Sequence, residues 1–154
     1  MADLTDADIK NITEVWDKIY ENPEESGRTV VIRLFTDYPE TKVYFKKLNN
    51  ISTLEEMKAS AGIRAHGKRV MGALNEVIVN LNDWDVVNGA LSELAQRHQD
   101  VHKVEAANFK LLFLVIINVF KEGLGSAFTP EHCKSWEKLF NISYNHISSC
   151  YTCS

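Results

Sequence analysis

Apolar residues recur along this chain at steps of three and four, the spacing of one helical face. Ile9, Ile12, Val15, Trp16 and Ile19 form the first stripe, and Thr5 with Asp8 three positions on reads as a capping box that opens it. Asn22-Pro23 then offers an N-cap followed by proline at the first helical position. The second helix runs through Val30, Val31, Leu34 and Phe35 until Tyr38-Pro39 stops it, because a proline disfavours helical backbone in the residue before it. Residues 40–52 show no period and are expected to be irregular, with one short turn about Tyr44-Phe45. After Thr53 a single long helix is predicted, with Ile63, His66, Val70, Leu74, Val77 and Leu81 on one face and Asn82-Asp83 ending it. From Val86 to about Asp100 the stripe is Val87, Leu91, Leu94 and His98. The next segment, Val104 to about Phe120, is apolar nearly all round and should lie buried in the centre. Gly123, Gly125 and Ser126 read as a loop, and Thr129-Pro130-Glu131-His132 as a strong helix start leading through Trp136, Leu139, Phe140 and Tyr144 to Tyr151. No segment alternates with period two. The pattern predicts an all-α chain of six to eight helices packed on one another.

Length and composition narrow the field. A chain of 154 residues with 45% hydrophobic and 25% charged residues fits one globular domain spanning 1–154. A formal net charge of -4 leaves no basic face to neutralise phosphates, which argues against nucleic acid as a partner. The acidic start lacks the basic and apolar regions of a signal peptide, so the expected location is cytoplasmic. Leu111–Phe120, interrupted by Asn118, is too short to span a bilayer, so no membrane role is expected. The Asn-x-Ser/Thr triplets at Asn11, Asn50 and Asn141 are then idle. Cys133, Cys150 and Cys153 form no disulfide framework. Cys150-x-x-Cys153 has redox-motif spacing but sits at the far end of a helix, away from the N-terminal dipole that lowers thiol pKa. It reads as a pair of tail cysteines, with an oxidation-dependent clip or an intermolecular disulfide as the alternative.

The chemistry worth weighing lies in two histidines, His66 and His98, each on the apolar face of its own segment. One such histidine is most often a satisfied core residue. His98-x-x-x-His102 could also be half of a zinc site, but no third ligand has a fitting spacing, with His132 and His146 elsewhere in the chain. Two histidines on successive amphipathic segments, with Phe45 upstream and an apolar helix downstream, are suited to gripping a flat iron cofactor from both sides.

The stretches Val15-Trp16-Asp17-Lys18-Ile19, Tyr38-Pro39-Glu40-Thr41-Lys42-Val43-Tyr44-Phe45, Arg64 through Leu74, Leu94-Ala95-Gln96-Arg97-His98 and Phe128-Thr129-Pro130-Glu131 together resemble the globin family over nearly the whole chain. Pro39, Phe45, His66 and His98, in that order and with those gaps, carry the likeness. Arg69 through Leu74 and the gap between the two histidines resemble the cytoglobin branch. Its cysteine pair has no counterpart here, since no cysteine precedes Cys133, and short ends also leave the chain similar to invertebrate tissue globins.

The resemblance implies a globin fold around haem b, iron protoporphyrin IX. His98 would be the proximal iron ligand, its second ring nitrogen donating to a carbonyl near Leu94. His66 would be the distal histidine, serving either as a hydrogen-bond donor to oxygen or as a sixth iron ligand. Phe45 would lie flat on the porphyrin and Val70 would crowd the open axial position. Leu94, Val104, Phe109 and Leu112 would line the pocket, with Val31 and Phe35 closing its distal end. Arg69 and His102 would meet the propionates, Gly27 and Gly67 would let two helices cross closely, and Tyr151 would pin the last helix. Reversible oxygen binding for storage, diffusion or transport is the function implied, with CO and NO as further ligands. Enzymatic haem redox chemistry, converting nitric oxide to nitrate or reducing nitrite, would need a reductase partner. A bis-histidyl gas or redox sensor is the third reading. A homodimer or other homo-oligomer is compatible with all three.

Overall fold

The computed structural model describes residues 4–44, 51, 53–100 and 106–151. Among them seven α-helices follow in order: α1 (Asp6–Ile19), α2 (Pro23–Asp37), α3 (Leu54–Ala59), α4 (Ala61–Ile78), α5 (Trp84–Asp100), α6 (Ala107–Leu124) and α7 (Pro130–Tyr151). Short 3-10 turns occupy Pro39–Tyr44 and Gly125–Ala127. The all-α prediction and its range of helix number hold, and the described residues contain no strand. No described helix is long and apolar enough to cross a membrane.

The helix starts are where the side chains can satisfy the free N–H groups of a first turn. Thr5 Oγ1 accepts from the Asp8 N–H at 3.1 Å while Asp8 Oδ2 accepts from the Thr5 N–H at 3.0 Å, the reciprocal capping box. Asn22 Oδ1 accepts from the Glu25 N–H at 3.3 Å ahead of Pro23. At α7, Thr129 Oγ1 accepts from the His132 N–H at 3.1 Å, and the Thr129 N–H donates to His132 Nδ1 at 3.1 Å. A histidine thus takes the place glutamate usually holds in a capping box.

Three expectations need correction. Residues 54–81 are not one helix: the chain breaks at Ser60, which ends α3 and caps α4. α4 stops at Ile78, and Leu81 is buried from the turn that follows, its spacing having imitated another helical position. The segment expected to be buried all round, α6, leaves Leu114 at 49% exposure in a stripe with exposed Lys110, Asn118 and Lys121. Gly123 is also helical, and the chain turns only at Gly125, whose φ of 53° suits glycine.

The core joins all layers. Val30, Val31 and Phe35 of α2, Ile63 and Met71 of α4, Phe120 of α6 and Trp136 of α7 are all nearly or fully excluded from solvent. Trp16 Nε1 donates to Asn75 Oδ1 at 3.0 Å and ties α1 to α4. Among the described residues the α2–α4 contact is the most extensive. It is close because Gly27 and Gly67 meet at the crossing: a Cβ on Gly27 would lie 2.2 Å from the Gly67 carbonyl oxygen. His66 immediately precedes that crossing, so the glycine pair fixes where His66 stands.

Candidate functional site

α5 carries His98 near its end, on the stripe that buries Val87, Leu91 and Ala95. The half-buried imidazole bonds through Nδ1 to the Leu94 carbonyl oxygen at 2.9 Å. That oxygen is one turn back along the helix, and a carbonyl has a second lone pair for such a donor. With the proton on Nδ1, the lone pair of a neutral ring belongs to Nε2, the nitrogen whose chemistry suits a metal. The ring packs against Phe109 of α6, with centroids 5.0 Å apart and planes at 59°. Phe109 is itself buried, and Leu112 lies three residues on, half-buried.

The other expected residues fall on α2 and α4. His66 and Val70 are four apart on one side of α4 and both half-buried. Val31 and Phe35 of α2 are buried. Arg69 is exposed. Phe45, His102 and Val104 lie outside the described residues, as does the side chain of Tyr151. The structure therefore brings His98, Leu94 and Phe109 into contact and sets His66 with Val70 on one helical face.

One imidazole with its tautomer fixed, standing against an aromatic and aliphatic wall, suits a metal held chiefly by a flat macrocycle with the protein supplying an axial ligand. The donor set fits haem.

Two histidines set aside in the sequence have partners. His132 closes the α7 cap, which the Thr129-x-x-His132 spacing could have signalled. His146 of α7 lies 2.8 Å, through Nε2, from Ser92 Oγ of α5, and Cys150 Sγ lies 3.7 Å from the same hydroxyl. Partners 54 and 58 positions apart leave no local signal.

Comparison with known proteins points the same way as the geometry. The family model for globins matches residues 28–147. Cytoglobin-2 of Danio rerio is 38% identical over 97% of this chain and 83% of that protein. Cytoglobin-2 of Oryzias latipes is 36% identical over 97% and 83%, and cytoglobin-1 of Danio rerio 34% identical over 96% and 86%.

Proposed function

Because the chain belongs to the globin family, whose members hold haem and bind diatomic gases, we propose that it binds oxygen reversibly on haem b in the cytoplasm, for storage, diffusion or transport. The observation that carries the reading is the 2.9 Å bond from His98 Nδ1 to the Leu94 carbonyl. It supports the reading because it orients the ring and places the lone pair of the neutral imidazole on Nε2, the nitrogen that would ligate iron. His98 Nε2 would hold the haem iron, and bound haem would supply ferrous iron able to take up a diatomic gas reversibly.

The remaining steps belong to the chain. Phe109 and Leu94 hold the His98 ring in place, limiting its rotation. Val31, Phe35, Val70 and Leu112 give the site apolar walls that keep out water. His66, from α4, would donate an N–H to the gas. A hydrogen bond of this charge-assisted kind contributes roughly 1.5–3 kcal/mol, about one to two decades in oxygen affinity. Arg69 and His102 would meet the propionates, and Phe45 and Val104 would complete the contacts to the ring.

The test is the visible spectrum of the reduced, oxygen-free protein, then of the same sample with oxygen admitted and removed. A single broad band that is replaced on oxygenation and regenerated afterwards is expected. Replacing His66 by Leu should speed oxygen release by about ten- to a hundredfold. Split bands that oxygen leaves unchanged would mean that His66 and His98 both hold the iron, and would overturn the oxygen-carrying role. An unaltered ferrous spectrum in His98→Ala would remove His98 as ligand.

A further inference from the structure

Across the α5–α7 contact lie three side chains that the haem site does not use. Cys150 Sγ donates to Ser92 Oγ at 3.7 Å, and Ser92 Oγ is 2.8 Å from His146 Nε2. All three groups are half-buried. A hydroxyl has one proton and two lone pairs, so Ser92 can accept from the thiol and donate to the imidazole in a single line. His146 and Cys150 are one helical turn apart on α7, which places base and thiol on the same face with the α5 serine between them.

We propose that Cys150 is a thiol modification site for small electrophiles of the hydroperoxide class, activated by proton relay through Ser92 to His146. The thiol proton passes to Ser92 Oγ as the serine proton passes to His146 Nε2. The sulfur then attacks one peroxide oxygen: an S–O bond forms and the O–O bond breaks. Sulfur is oxidised by two electrons and the peroxide reduced, and the leaving hydroxide takes the proton back from the imidazolium to give a sulfenic acid and water. Acyl transfer is not the chemistry of this serine. It lies in the interior of α5, where backbone N–H groups are bonded within the helix and cannot form the donor pair that an oxyanion needs.

Cys133, on the same helix, is a built-in control: burial, and then Glu137 nearby, push its thiol pKa up. Alkylation of the full-length protein with iodoacetamide, read by fragment-ion mass spectrometry, follows each cysteine separately. Cys150 should react about tenfold faster than Cys133, and Ser92→Ala and His146→Gln should each slow Cys150 by about tenfold, leaving Cys133 unchanged. Ser92→Thr, which keeps the hydroxyl, should restore the rate. Loss of packing would instead raise the rates of both cysteines together, and that result overturns the relay, as would a Cys150 rate indifferent to all three variants. With hydrogen peroxide and dimedone, carbon monoxide being present to shield haem iron, the Cys153→Ser chain should yield an adduct at Cys150. Adding Ser92→Ala should remove it. Equal adduct in both chains, or none in either, would overturn the peroxide step.

Discussion

Among single residues, His66 and Gly67 show how packing and chemistry share one turn of helix. The ring of His66 has a place because α4 lies directly on α2, and that approach is possible only where both helices lack a Cβ. A Cβ on Gly67 would meet the Gly27 carbonyl carbon at 2.3 Å and its oxygen at 2.5 Å. These are backbone atoms, which cannot step aside as a flexible side chain would. Gly67→Ala should therefore destabilise the protein by about 3 kcal/mol, overpacking outweighing the roughly 1 kcal/mol that alanine gains over glycine in a helix. Gly72, on the same helix, has nothing within 4 Å of its notional Cβ. Gly72→Ala should stabilise by up to about 1 kcal/mol. Urea unfolding of the two variants checks the pair, and equal effects would mean that the crossing tolerates a methyl group. The local part of this site was legible in sequence. A histidine four residues after Leu94 meets that carbonyl because helical geometry puts it there. The Ser92–His146–Cys150 line was not legible, because it depends on how two helices cross.

Among the helices, the break at Ser60 shows why periodicity alone misjudged residues 54–81. Met57 and Ile63 are both buried, at 4% and 0% exposure. Six positions apart on a continuous helix, they would project roughly 120° from each other. One straight helix could not turn both into the same core. Ser60 resolves the conflict: its N–H bonds to the Met57 carbonyl at 3.2 Å, closing α3, and its Oγ accepts from the Ile63 N–H at 3.2 Å, opening α4. A serine in mid-pattern carries no obvious signal, since it is tolerated in helices as well as favoured at their starts. Ser60→Ala should cost about 1 kcal/mol, and the Ile63 amide should lose protection in hydrogen exchange. An unaltered Ile63 amide would mean that the cap contributes nothing. α6 teaches the converse. Its nearly continuous apolar sequence predicted full burial, yet Leu114 stays half in solvent, because a run of apolar residues does not say how many neighbours surround the helix.

Across the molecule from end to end, the first and last helices are locked together by polar groups, an arrangement no sequence window could contain. Asp8 of α1 serves its own capping box and also pairs with the Lys138 ammonium of α7. Ser135 Oγ donates to Asp8 Oδ1 at 2.8 Å and accepts from Asn11 Nδ2 at 3.1 Å. The Lys138 ammonium above all, then the Thr5 N–H, hold the Asp8 carboxyl far below the usual carboxylate range, against the opposing effect of burial. A carboxyl whose pKa falls on folding stabilises the native state wherever it is ionised in the unfolded chain. That contribution is complete above the ordinary value of 3.8 and is lost as pH drops below it toward the lowered native value. Asp8→Asn should therefore be less stable than the parent at pH 7, with the difference constant down to about pH 5 and shrinking below about pH 4. Urea unfolding of both proteins at about pH 7, 5 and 3.5 isolates this one carboxylate, because the other acidic groups are common to the two and cancel. A difference that does not change with pH would mean that the ionised charge of Asp8 contributes nothing, and that α1 and α7 are joined by packing and uncharged hydrogen bonds rather than by charge.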